Sequence, residues 1–261
     1  MTEKLAETLR RYARQYETVE FLEGDPSWFM HQVCGKENQE SMAFVASCLS
    51  FGSRPQFMPK IQSILTSSEG DVDLWIRSGE FEKCFQSVDN KCFYRLYSCG
   101  MMCRFLHALK EMLADYGSLG DFVKAKASDG LEAGDALCRY FSKYEIGTVI
   151  PKDSSSACKR LCMFLRWMVR SDSPVDLGLW ANFIDRRSLI IPLDTHVLQQ
   201  SIQLGLLKTK TASMRSARQL TQTLAEVFPD DPLKGDFALF GLGINSNERR
   251  TKPHRNLRAT N

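Results

Sequence analysis

Nowhere in the 261 residues is there a C-x-x-C pair, an apolar run long enough to span a bilayer, an internal repeat or a linker between domains, and almost nowhere a strictly alternating strand pattern. Each absence excludes something. Without C-x-x-C spacing the nine cysteines do not read as a structural zinc site. Odd in number and scattered through mostly apolar stretches, they read as small core residues of a chain kept in a reducing cytoplasm. About 18 apolar residues are needed for a membrane-spanning helix, and the charged start MTEKLAETLRR does not read as a secretory signal. The expectation is a cytoplasmic chain with no membrane partner. Nor does one sign of charge dominate: 34 Lys and Arg face 31 Asp and Glu, a formal +3. Any attraction for a polyanion must therefore come from local clusters.

What is present is helical periodicity. Apolar residues recur at intervals of three and four, as at Leu5, Leu9, Tyr12 and Tyr16, which predicts a mostly helical, all-α fold. NQESMAFVASCLSFG predicts a central helix apolar on every side, followed by another after Pro55. A long helix is predicted over 91–116, with Gly100 as a possible break, and a further one over LEAGDALCRYFSKY. Asp153 to Ser156 offer capping oxygens for a helix predicted from about Ser155 to Arg170. A loop and short helix are expected over SPVDLGLWANFI, then a helix opened by Asp194 and running to about Leu207, then two more over MRSARQLTQTLAEVF and DPLKGDFALFGLGI. The domain is expected to cover 1–245 as one two-lobed unit. Residues 246–261, basic and nearly without apolar side chains, predict a disordered tail.

The helix beginning ACKRLCMFLRWMVR puts Lys159, Met163, Arg166 and Arg170 on one side. Such a stripe is ordinarily a solvated face. Lys159 stands apart because it falls in the first turn, where unpaired N–H groups and the neighbouring Arg160 both disfavour an ammonium; with partial desolvation that is the setting of a nucleophilic lysine. Asp194 is the opposite case. A carboxylate at a helix N-terminus is favoured as the anion, suited to stabilising a developing positive charge, although the same position suits a plain N-cap. His196 is a candidate accessory proton carrier. Trp167, Trp180, Phe164 and His31 are candidate pocket walls, but their helical spacing fits the core better.

A first-turn lysine followed, 35 residues on, by Pro-x-Asp at the entrance to another helix resembles the layout of helix-hairpin-helix DNA glycosylases. K-R-L-C-M-F-L-R at 159–166 and IPLDTHV at 191–197 are similar to the lysine helix and aspartate loop of their archaeal 8-oxoguanine branch. Over most of its length the chain is identified as a member of a bacterial family catalogued as a domain of unknown function. AFVASCLSFGSRPQFMPKI, YGSLGDFV, SSACKRLCMFLRWMVRSDSPVDLGLW, LIIPLDTHV and DFALFGLGI carry that likeness. The resemblance implies two helical lobes around a cleft. It implies a glycosylase and abasic-site lyase acting as a monomer on damaged or abasic duplex DNA, with Lys159 as the nucleophile and Asp194 as the stabilising carboxylate. Ser155, Ser156, Arg160 and Arg166 become candidates for DNA contact, with Arg170 beside them, and no metal or diffusible cofactor is required. PKDSSSACK replaces the Gly-x-Gly turn usual before the lysine, and the absence of any cysteine after residue 162 excludes the iron–sulfur cluster of the endonuclease III branch. The altered turn leaves a second reading, a nucleic-acid-binding protein on the same scaffold without the chemistry.

Overall fold

A computed structural model describes residues 1–153 and 155–251, with side chains described as far as residue 244. Among the described residues eleven α-helices follow in order: α1 (Glu3–Tyr16), α2 (Lys36–Leu49), α3 (Arg54–Ser67), α4 (Val72–Ser78), α5 (Cys99–Tyr116), α6 (Leu119–Lys126), α7 (Gly130–Phe141), α8 (Lys159–Val169), α9 (Thr195–Gln203), α10 (Met214–Ala225) and α11 (Lys234–Thr251). A two-stranded antiparallel hairpin, β1 (Cys92–Tyr94) and β2 (Tyr97–Ser98), precedes α5. The fold is mostly helical, as the periodicity predicts. Among the described residues no helix is long and apolar enough to cross a membrane.

Two hydrophobic clusters organise the helices. The larger takes in α2 to α8, centred on Phe44, whose ring meets Phe164 at 5.0 Å and Phe141 at 5.5 Å between centroids. From Met42 to Leu49 every residue of α2 is buried, which is why its sequence is apolar all round. The smaller cluster joins the two ends of the chain: Leu9 of α1, Leu198 of α9, Leu220 and Leu224 of α10, and Leu239 of α11, with α1 packed along α11.

Several boundaries differ from the sequence expectation. KCFYRLYSC opens with the hairpin rather than a helix, because Arg95 turns left-handed (φ 50°) and the amides of Cys99 and Gly100 bond back to Lys91 O and Asp89 O. Gly100 lies in the first turn of α5, where a Cβ would come within 2.7 Å of Ser87 O. SPVDLGLWANFI forms turns without an α-helix; the amides of Leu177, Gly178 and Trp180 instead bond to the carbonyls of Trp167 and Met168, covering the end of α8. Helix α9 stops at Gln203, short of Leu207. Helix α11 runs to Thr251, six residues into the expected tail; the remainder, 252–261, lies outside the described residues. Cys34, Cys84 and Cys92 are exposed, whereas the other six cysteines are buried.

The two clusters are joined by a buried charge network in place of the expected solvated basic face. Arg166 is 3% exposed and Arg170 wholly buried. Arg166 donates to Asp176 at 3.2 Å and Asp236 at 2.5 Å. Arg170 donates to both carboxylate oxygens of Asp231, to Glu17 at 2.6 Å and to Asp176. Both guanidiniums also stack on Phe237, at 4.8 and 5.3 Å. The carboxylates come from the loop after α8, the turn before α11, α11 itself and the end of α1, so the stripe fixes α8 against elements far away in sequence. Removing one member of such a network leaves uncompensated buried charge, at a cost of about 3–5 kcal/mol.

Candidate functional site

Helix α8 starts at Lys159, four residues later than the sequence predicts. Cys158 adopts the left-handed conformation (φ 44°, ψ 35°) and provides no side-chain cap. Ser156 is held in an isolated bridge with Ser213, so the chain reaches α8 extended and then turns sharply. Asp153 does accept a local bond, from the Ser155 amide at 2.9 Å, but this closes a turn ahead of the helix. The result is a lysine at the first helical position with its stem against the protein and its amine toward a cleft.

Asp194 reaches the same cleft from the other cluster. One carboxylate oxygen, Oδ1, caps α9 by accepting from the Val197 amide at 2.8 Å. The other, Oδ2, faces Lys159 Nζ at 3.5 Å. Their side chains are 34% and 38% exposed, and an ion pair with that much water around it contributes no more than about 1 kcal/mol to stability. Fold stability alone therefore gives little reason for the pairing.

The cleft encloses about 650 Å³, within the span of roughly 300–1,000 Å³ usual for small-ligand sites. Its walls include Asp25, Phe51, Gly52, Arg54, Ser156, Cys158, Met163 and His196 in addition to the Lys–Asp pair. His196 packs against α11, where a Cβ at Gly243 would collide with its ring. Asp25 caps a short 3₁₀ turn through the Ser27 amide and pairs with Arg54 at 3.1 Å. Phe51 has Arg160 and Arg95 over its ring at 5.3 and 5.8 Å. At Gly52 (φ +82°) a Cβ would come within 2.8 Å of both Tyr94 Oη and Arg95 Nη1, so only glycine lets the hairpin close on this wall.

Arg160 and Arg166 have partners other than a phosphate. Arg160 Nη1 donates to Cys48 O at 2.7 Å, Tyr97 Oη at 2.5 Å and Val149 O at 2.9 Å, and its Nη2 donates to Thr148 O at 2.7 Å. It ties the start of α8 to the end of α2 and to the hairpin, and so fixes the turn that carries Lys159. Arg166 and Arg170 belong to the buried network. Ser155 and Ser156 are exposed beside Lys159, and Ser155 borders a second hollow with Arg215 and Arg218 of α10, two exposed cations that sequence reasoning left unassigned. Phe164, Trp167 and Trp180 lie in the core at 0% exposure, and His31 bonds to Val175 O at 2.9 Å; none of these four is among the cleft walls. The walls missed by sequence reasoning, Asp25 and Phe51 to Arg54, lie more than 100 residues before Lys159, and only the fold brings them to it. Among the described residues no cluster of His, Cys, Asp or Glu has the arrangement of a metal site.

No curated protein and no solved structure matches the chain. A family model matches residues 25–245, a span that includes every cleft residue named above and leaves out α1. The chain belongs to the family described as Protein of unknown function (DUF2400).

Proposed function

We propose that the cleft is the active site of a DNA glycosylase with abasic-site lyase activity, acting on an oxidised purine such as 8-oxoguanine. The observation that carries this reading is the convergence of Lys159 Nζ and Asp194 Oδ2 at 3.5 Å on one cleft. The two residues come from helix starts on different hydrophobic clusters. An amine nucleophile beside a carboxylate is what displacement at an anomeric carbon requires. Its likeness to the lysine and aspartate of helix-hairpin-helix glycosylases supports the same assignment.

The chemistry follows from these two groups. A base stacked in a duplex is inaccessible, so the nucleotide is extruded into the cleft. As the glycosidic bond breaks, its electron pair leaves with the base, and Asp194 stabilises the cationic sugar. The amine of Lys159, as its free base, bonds to C1′ and passes one of its two protons to the ring oxygen as the C1′–O4′ bond breaks, which leaves a protonated Schiff base. Loss of the C2′ proton then expels the 3′ phosphate and nicks the strand. Asp194 keeps its orientation throughout because Oδ1 is bound to the helix it caps. Ser155 and Ser156 are the strand contacts nearest the lysine. No step calls on a metal or diffusible cofactor.

The test is strand scission of duplex DNA containing a single 8-oxoguanine. The full chain should cut at the lesion, Lys159→Ala should not, and undamaged duplex should remain whole. Equal cutting by Lys159→Ala would overturn the mechanism.

A further inference from the structure

The Lys and Arg side chains lining the cleft are, among the described residues, Arg54, Lys159 and Arg160. Two of them are engaged. Arg160 is taken up by Cys48 O, Tyr97 Oη, Val149 O and Thr148 O. Lys159 faces Asp194 at 3.5 Å and reacts as its free base in the reading above. Arg54 differs. It opens α3, and its side chain remains 47% exposed. Its Nη2 donates to Asp25 Oδ2 at 3.1 Å, and its guanidinium lies over the Phe240 ring of α11, 5.7 Å from the centroid. Asp25 is itself fixed: its side chain is 11% exposed, and Oδ1 accepts from the Ser27 amide at 3.0 Å and the Ser27 hydroxyl at 2.7 Å. The carboxylate and the ring thus hold the guanidinium from two directions, while its other N–H groups meet no acceptor among the described residues.

We propose that Arg54 binds a phosphate flanking the nucleotide held in the cleft. A strand whose nucleotide is turned into the cleft brings its backbone phosphates to the rim, and each needs a cation or N–H donors. Arg160 has its N–H groups on carbonyls and a hydroxyl, and a nucleophilic Lys159 carries no charge. Arg54 is therefore the cation in the cleft left to meet the phosphate. A guanidinium donates two parallel N–H groups to phosphate oxygens, and one already held in place by Asp25 and Phe240 loses little rotamer freedom in doing so. The ligand class, a nucleotide within a DNA strand, rests on the glycosylase reading; the fixed and half-exposed guanidinium in the cleft does not.

The experiment measures binding of the full chain by fluorescence anisotropy across a salt series, on a duplex carrying one tetrahydrofuran residue and on the same duplex undamaged. The tetrahydrofuran residue is an abasic analogue with neither a base nor a C1′ leaving group, so it stays uncut and offers Arg54 no base edge. Arg54→Met should bind the analogue duplex about tenfold more weakly than the parent and lower the slope of log K against log salt by about 1. Its binding to undamaged duplex should equal the parent's, because a stacked nucleotide does not enter the cleft. Arg54→Lys should restore the slope and only part of the affinity, since an ammonium keeps the charge without the fork. Both variants should fold, because Asp25 keeps its two bonds from Ser27; urea unfolding checks this. A parent that prefers the analogue duplex while Arg54→Met keeps its affinity and slope, or loses equally on both duplexes, overturns the proposal and leaves the glycosylase reading standing. A parent that binds the two duplexes alike refutes the reading of the cleft as a nucleotide site, and the proposal with it.

Discussion

Lys159 Nζ and Asp194 Oδ2 lie 3.5 Å apart although they stand at the starts of helices, α8 and α9, that pack mainly in different hydrophobic clusters. Each is fixed by a separate device. Lys159 is held by the turn at Cys158 and the carbonyl-binding guanidinium of Arg160; Asp194 is held by its cap on α9. The distance between them therefore depends on how the clusters are joined, which is the task of the buried Arg166–Arg170 network. Site geometry and fold stability meet in that network.

Asp194 has two separable roles. Asp194→Ala removes the cap and should cost about 0.5–2 kcal/mol, with little added from the exposed ion pair. Asp194→Asn keeps a capping oxygen and should unfold within a few tenths of a kcal/mol of the parent while losing base excision. Urea unfolding curves for the two variants check this, since a cap role alone would leave Asn fully active.

Arg160 and Arg166 should matter for stability and not for phosphate affinity. Arg160→Ala leaves buried acceptors without a donor, at about 1–3 kcal/mol for each such group, and Arg166→Met takes the guanidinium partner from Asp236 while leaving Asp176 to Arg170, at about 3–5 kcal/mol. Where these variants are still folded, the salt dependence of DNA binding should match the parent. Arg215→Ala or Arg218→Ala should each lower the slope of log K against log salt by about 1, as loss of one phosphate contact does. Fluorescence anisotropy across a salt series distinguishes the two sets.

The network also sets a pH dependence. Burial, its largest influence, raises the Asp236 carboxyl above its ordinary 3.8, against the lowering effect of Arg166. A carboxyl raised in the folded state binds its proton more tightly there than when unfolded. Its contribution is complete below 3.8 and is lost as pH rises through the folded value. Asp236→Asn removes this dependence. The parent should lose stability relative to the variant as pH is raised from about 4, measured by urea unfolding at a series of pH values; parallel curves would contradict the assignment.

The placement of Lys159 and Asp194 at helix starts was legible in the sequence because it lies in local signals. A lysine at a helix start and a carboxylate after Pro192 are visible without a fold, and the 3.6-residue periodicity gave the helical class. The rest depends on partners distant along the chain. Arg166 and Arg170 look like a solvated stripe until Asp176, Asp231, Asp236 and Glu17 are known to surround them; one of those partners lies 153 residues away. The start of α8 was misjudged because Asp153 and the serines are good caps, yet the bridge of Ser156 to Ser213 and the left-handed Cys158 delay the helix to Lys159. The hairpin at 92–98 was hidden because its turn uses a left-handed arginine in place of the usual glycine or asparagine.

The most direct measurement is borohydride trapping of the full chain on duplex DNA carrying either an abasic site or 8-oxoguanine, with Lys159→Ala and Asp194→Asn in parallel. A covalent adduct is expected on both substrates, lost on both in Lys159→Ala and lost only on 8-oxoguanine in Asp194→Asn. An adduct that survives Lys159→Ala, or DNA binding without any adduct, would contradict the assignment of Lys159 as the nucleophile of a glycosylase and lyase.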